Sequence, residues 1–298
     1  MLQGAWIAKA LTQQALSHLP GGNQINYFLQ RHVARSLPHS DATFLHHCEF
    51  AGRYVSALRN HTDTPVDDAH CLEFGAGWDC AVALIQRALS VPDQILVDIN
   101  AKLHYKLINE TLAQARRLAD KVAKRAPGAD VDRLPFTVNC ESELSAMGIK
   151  YWVGDLMELD WPRGFDMIHS TSVLEHIPAD DLLSLVQHCR GMLRPGGLFC
   201  AAIDTADHYS RYDRSISHVN FLRYSPSIWP LFSPPLHYQN RLRVSDHLKI
   251  IKEAGFKILE ATRNRIRKHP NIRPHHSFQN YAIDDLLCGG VFVVAQKK

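Results

Sequence analysis

The chain has no C-x-x-C pair, no apolar run near the ~20 residues that span a bilayer, no basic leader and no dominant sign of charge. Each absence excludes a class. The seven cysteines (48, 71, 80, 140, 189, 200 and 288) are odd in number and several sit in apolar runs, so they read as buried, reduced thiols. The first stretch, MLQGAWIAKALTQQALSHLP, is broken by Lys9, Gln13 and Gln14. It reads as a short helix ending at Leu19, Pro20, Gly21 and Gly22, not as a secretory signal, and a cytoplasmic location is expected. A net charge of +3 is too small to argue for nucleic acid or an anionic membrane. The basic run Arg263–His269 reads as a solvated face, and no nucleic-acid partner is expected. Although there are 18 histidines, no H-x₃-H or H-E-x-x-H spacing occurs, and His46-His47-Cys48 and His275-His276 read as ordinary loop or helix residues. No metal is expected.

What is present is the composition of a folded protein: 46% apolar and 21% charged residues over 298 positions. Residues 1–66 read as a helical extension or cap, with helix candidates at 24–37 and 44–60. From about residue 68, strand-like and helix-like segments alternate. Strands are expected at HCLEF (70–74), QILVDI (94–99), KYWVGD (150–155), FDMIHSTS (165–172), LRPGGLFCAAID (193–204), FKILEAT (256–262) and GGVFVVAQ (289–296). Helices are expected at 81–90, 101–125, 181–193 and 244–256, with Ser245 as N-cap and Gly255 as the stop of the last. Residues 126–148 read as a loop or small insertion, and 205–243 as an irregular insertion rich in aromatic, Arg, Ser and Pro residues. The alternation predicts one doubly wound α/β domain, residues 67–298, with a mostly parallel sheet.

The informative segment is Glu73-Phe74-Gly75-Ala76-Gly77-Trp78-Asp79, which leaves a strand and opens a helix. Glycines there let the backbone turn tightly and approach a ligand. About 20 residues on, the next strand ends in Asp98, a carboxylate able to accept from both hydroxyls of a ribose. The turn alone leaves two readings open. A dinucleotide site of an NAD-dependent oxidoreductase wants small residues at 75, 77 and 80, and Cys80 is small enough. The other reading is an E-x-G-x-G turn.

The second reading resembles the first motif of class I S-adenosylmethionine-dependent methyltransferases. Gly154-Asp155-Leu156, Phe165-Asp166-Met167-Ile168 running into SVLEHIP, and Leu193-Arg194-Pro195-Gly196-Gly197 resemble that family's later motifs at matching spacing. Asp79 stands where the family usually has its third glycine; it reads equally as a cofactor contact or a helix-start residue. Taken with PGGNQINYFLQRH (20–32), the 207–225 segment resembles bacterial methyltransferases of an uncharacterised type found near surface-polysaccharide genes.

The resemblance implies a Rossmann-like seven-stranded sheet whose last strand is antiparallel, and S-adenosyl-L-methionine as cofactor. Glu73, Gly75, Ala76, Gly77 and Asp79 would line its methionine side, Asp98 and Ile99 the ribose, and Gly154, Asp155 and Leu156 the adenine. Ser170 and Thr171 would lie near the methyl group. His176 and His208 are the candidate catalytic residues. Tyr209, Tyr212, His218, Asn220 and Arg223 are the candidate acceptor-binding residues. Methyl transfer to a small-molecule or sugar-like oxygen is expected. The alternatives are an N-acceptor, a lipid-linked acceptor or a non-catalytic cofactor-binding scaffold.

Overall fold

Seven strands carry the molecule, and their side chains explain why it has two helical layers. The computed structural model describes residues 4–17, 31, 37–158, 161–265 and 272–298. The strands are β1 (His70–Phe74), β2 (Asp93–Asp98), β3 (Ile149–Val153), β4 (Phe165–Thr171), β5 (Leu193–Asp204), β6 (Phe256–Arg265) and β7 (Cys288–Lys297). Successive residues point to opposite faces. Along β2, Leu96 enters one core while Ile95 and Val97 enter the other; along β5, Leu198, Cys200 and Ala202 face one side and Phe199, Ala201 and Ile203 the other. Both faces are therefore apolar, as a sheet covered on both sides requires. Each large side chain so buried contributes about 1.5–3 kcal/mol.

The order is β3-β2-β1-β4-β5-β7-β6. Pairings are parallel from β3 through β5, and β7 runs antiparallel to both its neighbours. The order reverses between β1 and β4, and ligands of doubly wound sheets bind beyond the carboxyl ends of strands at such a point. At the opposite end of the strands Asp166 accepts from His70 N–H (2.8 Å), Thr64 Oγ1 (2.6 Å) and Arg194 Nε (2.5 Å). That carboxylate ties the starts of β1, β4 and β5 together.

Among the described residues the helices are α1 (Ala5–Ser17), α2 (Asp41–His61), α3 (Ala81–Ala88), α4 (Tyr105–Arg117), α5 (Ala119–Arg125), α6 (Glu141–Ala146), α7 (Ala179–Met192), α8 (Val244–Glu253) and α9 (Ile283–Leu286). In α2, Phe44, Cys48, Ala51, Val55 and Leu58 recur at helical spacing and enter the same core as α3 and α4. Helix α1 goes elsewhere. Its Trp6 packs against Tyr209, Tyr224 and Phe232 of the 205–243 segment, which is built of short 3₁₀ turns around a third apolar cluster. None of the described helices is long and apolar enough to cross a membrane.

Three expectations need correction. Residues 101–104 are loop, and the helical stretch is divided into α4 and α5. The 126–148 segment carries α6, whose single buried residue, Leu144, leaves no periodicity to read. The N-cap of α8 is Arg243, one residue before the helix and two before Ser245. Its N–H donates to Asp246 Oδ2 at 2.7 Å, and its fully buried side chain donates to Thr205 O at 2.8 Å. The helix candidate at 24–37 lies outside the described residues except Arg31 and Leu37, as does the basic run from residue 266 on.

Candidate functional site

The ends of β1 and β2 make the first half of the site. Gly75 and Gly77 have φ of +74° and +73°, in the left-handed region that glycine enters without penalty. A Cβ on Gly75 would lie 2.3 Å from Val173 Cγ2, so the turn packs directly on the loop after β4. A Cβ on Gly77 would meet nothing within 4 Å, so this glycine faces open space. Asp98 is 2% exposed. Its carboxylate accepts from Gly77 N–H (3.2 Å) and Asn100 N–H (3.1 Å), and the Lys102 ammonium lies 3.1 Å from Oδ1 and 3.3 Å from Oδ2. A carboxylate offers about four acceptor sites. Backbone amides take one on each oxygen, and Lys102 shares what is left. No sequence pattern marks the lysine, because only the bend of the 99–104 loop brings it back onto Asp98.

Glu73 lies beneath this turn, 4% exposed, with Oε2 unpartnered within the described chain. Burial, reinforced by the nearby Asp79 charge, pushes its carboxyl up to about 8, so it holds its proton at pH 7. Asp79 is buried and employed at the start of α3: Oδ1 accepts from Ala81 N–H (3.2 Å) and Oδ2 from Thr111 Oγ1 (3.0 Å). The half-buried Ala76 N–H points to Val97 O at 3.3 Å.

Beyond β2 and β3, Ile99 is 65% exposed and Met157 is also exposed, whereas Leu156 is buried. Gly154 N–H donates to Asp98 O (3.0 Å), which brings the two strand ends together. Half-buried Asp155 caps its own turn, accepting from Met157 N–H at 2.9 Å. At the end of β4, Ser170 is fully buried and its carbonyl accepts from Tyr54 of α2 (2.7 Å), whose hydroxyl is also 3.1 Å from Thr171 Oγ1. Tyr54 stacks on His169 (4.5 Å between centroids), and Gln86 Nε2 lies 3.0 Å from His169 Nε2. Burial lowers His169 to about 3 and keeps it neutral. Tyr54, His169 and Gln86 form a polar layer under the site. No motif signals it, because its members come from α2, β4 and α3.

The second half of the site is the acceptor side. His176 ends the 3₁₀ turn Leu174–His176 after β4, and His208 begins the turn His208–Arg211 after β5. Because β4 and β5 are neighbours, the two rings come within 5.1 Å. A clamp at 238–240 fixes both loops. Tyr238 O accepts from His176 Nδ1 (2.6 Å), Gln239 Oε1 accepts from His208 N–H (3.2 Å), and Asn240 donates to Glu175 O, Leu174 O and Ile177 O (2.8 Å each). Burial lowers His176 to about 4 and raises the Glu175 carboxyl to about 7.

The five residues expected to touch an acceptor are dispersed. Tyr209 is buried in the third cluster and donates to Phe232 O at 2.8 Å; Asn220 is buried as well. His218 is half-buried, while Tyr212 and Arg223 are exposed. Tyr212 lies under Lys9, whose ammonium is 4.5 Å from the ring centroid.

A protein family described as "Methyltransferase domain" matches residues 29–261, a span that starts ahead of β1 and takes in α2. The chain therefore belongs to that family, and the strand order makes it a class I S-adenosylmethionine-dependent methyltransferase. That decides between the two readings of the glycine turn in favour of methyl transfer. No curated protein matches the sequence. Among solved structures, the chain is similar to an S-adenosylmethionine-dependent methyltransferase from Mesorhizobium loti (17% identity, 84% of this chain and 99% of that one, TM-score 0.44). It is also similar to one from Clostridium acetobutylicum (11%, 92% and 98%, TM-score 0.47). A third is magnesium protoporphyrin IX methyltransferase from Synechocystis with bound S-adenosylhomocysteine (14%, 85% and 83%, TM-score 0.45).

Proposed function

We propose that the chain transfers the methyl group of S-adenosylmethionine to an oxygen of a small or sugar-like acceptor. The observation that carries the reading is Asp98: a buried carboxylate at the end of β2, hydrogen-bonded to the glycine turn of β1. In this reading Asp98 holds the ribose hydroxyls with Ile99 beside it, and Asp155 and Leu156 lie around the adenine. Glu73 and the Gly75–Gly77 turn receive the methionine end, and Ser170 and Thr171 lie beside the sulfonium. The cofactor supplies the reactivity; the protein contributes position and electrostatics. His176 and His208 face the acceptor, with α1 and the 205–243 segment closing over them. Lowered basicity at His176 makes it a hydrogen-bond partner at pH 7 more than a strong base. Incubation with labelled cofactor and fractionated extract, with mass detection, tests the reading. A product heavier by one methyl group on oxygen supports it; methylation on nitrogen, or cofactor binding without transfer to any fraction, overturns it.

Two solution results are expected from the cofactor half. Lys102→Ala should tighten S-adenosylhomocysteine binding by a few-fold, since it removes a partly exposed ammonium that competes with the ribose for Asp98 and such pairs are worth about 0–1 kcal/mol. Unchanged or weaker binding in calorimetry would remove the competition from the account. Binding at pH 7 should also release about one proton. Empty Glu73 holds a proton because its carboxyl sits at about 8, and a ligand ammonium beside it favours the carboxylate. Affinity should accordingly rise with pH toward 8 and level off above it. Binding enthalpies measured in buffers of different ionisation heat give the proton count; Glu73→Gln should abolish it.

A further inference from the structure

We propose that Glu175, His176 and His208 form a site for one divalent first-row transition-metal ion at the acceptor end of the pocket. One donor atom from each residue lies within 4.8 Å of the others. An ion with ligands at about 2.0–2.2 Å needs donors roughly 3–3.6 Å apart, so closing the site takes side-chain movements of about an ångström and no backbone change.

Four features make this a built site. Glu175 is 1% exposed and neither carboxylate oxygen has a hydrogen-bond partner within the described chain. A buried carboxyl with no donor either keeps its proton or takes a cation, and a metal ion would replace that proton. His176 gives its Nδ1 proton to Tyr238 O at 2.6 Å. A carbonyl only accepts, so the tautomer is set and Nε2 keeps its lone pair, the arrangement that metal-binding imidazoles use. His208 Nε2 is buried and without a hydrogen bond, and so is Nε2 of His237, whose ring centroid is 5.9 Å from that of His208. Finally, the 238–240 clamp holds the two ligand-bearing loops against each other independently of any ion.

The charged groups around the cluster are Asp204 and Arg211, and the Lys9 and Lys102 ammoniums also act on its imidazoles. Asp204 Oδ2 lies 3.5 Å from His208 Nε2, and the Arg211 guanidinium is paired to that same carboxylate. Two imidazoles and one carboxylate with open positions suit a first-row divalent ion. If the methyltransferase reading of this pocket holds, on which this role rests, the ion takes the acceptor hydroxyl as a ligand. It lowers that hydroxyl's pKa. The proton passes to solvent, the oxygen–methyl bond forms as the sulfur–methyl bond breaks, and the thioether leaves.

The test is titration of the full chain with Co²⁺, followed by visible absorption and displacement with Zn²⁺. One Co²⁺ per chain is expected. Glu175→Gln and His208→Ala should each weaken it by about 100-fold, whereas the double variant His275→Ala/His276→Ala should leave it unchanged. Thermal unfolding and S-adenosylhomocysteine binding are measured on the same samples. Folded variants that keep Co²⁺ at wild-type affinity, or a wild-type chain that takes up no Co²⁺ at millimolar concentration, overturn the site. If Co²⁺ binds as expected but S-adenosylhomocysteine does not, the metal site stands and the cofactor reading falls.

Discussion

Asp98→Ala is expected to weaken S-adenosylhomocysteine binding by about 100-fold. Two hydroxyls donating to a buried carboxylate are charge-assisted bonds of about 1.5–3 kcal/mol each, part of which water returns to the free ligand, leaving about 3 kcal/mol. The alanine also strands Gly77 N–H, Asn100 N–H and Lys102, so some stability is lost as well. Asp98→Asn separates the two effects. It keeps the shape and one acceptor oxygen, and should lose about tenfold in affinity with a smaller change in melting temperature. Calorimetry and thermal unfolding on the two variants check this. An Asp98→Ala chain that binds as tightly as wild type would remove Asp98 from the cofactor's contacts.

Gly75→Ala should be worse for the fold. Its Cβ would arrive 2.3 Å from Val173 Cγ2 and 3.1 Å from Cγ1, at a backbone φ of +74°. Strain in the left-handed region costs about 1–3 kcal/mol by itself, and Val173 is hemmed in by the turn that carries Glu175 and His176. A loss of about 3 kcal/mol in unfolding free energy is expected, with cofactor binding below detection. The double variant Gly75→Ala/Val173→Ala removes the clash and keeps the strain, so it should regain part of the stability. Equal stability of the single and double variants would show that Val173 is not the obstacle.

Much of this architecture could be read from the chain. The strands are legible because both faces of the sheet are apolar, leaving short continuous runs such as Ile95–Val97 and Gly197–Ile203. The glycine turn and Asp98 were legible because they depend on one local spacing. The Asp79 side chain had two readings, and its bonds to Ala81 and Thr111 supply the structural one. What was not legible depends on tertiary return. Tyr54 reaches Ser170 across 116 residues of chain and Tyr238 O reaches His176 across 62, distances at which no pattern survives. His176 and His208 are legible as candidates one by one, but their grouping with Glu175 is not, because they come from the loops after two strands and no local spacing joins them. Asn220 and Tyr209 look like surface recognition residues because the segment around them is polar, yet both are buried, Tyr209 against Trp6 in the third cluster. The cap of α8 moved from Ser245 to Arg243 because a buried guanidinium bonded to Thr205 O fixes where the helix starts.

The most direct test of the cofactor site is a crystal structure of the chain grown with S-adenosylhomocysteine. The ligand is expected across the ends of β1 and β2, with both ribose hydroxyls on the Asp98 carboxylate and the Lys102 ammonium moved off it. A ligand bound elsewhere, or bound here with Lys102 still seated on Asp98 and the ribose turned away, would contradict it.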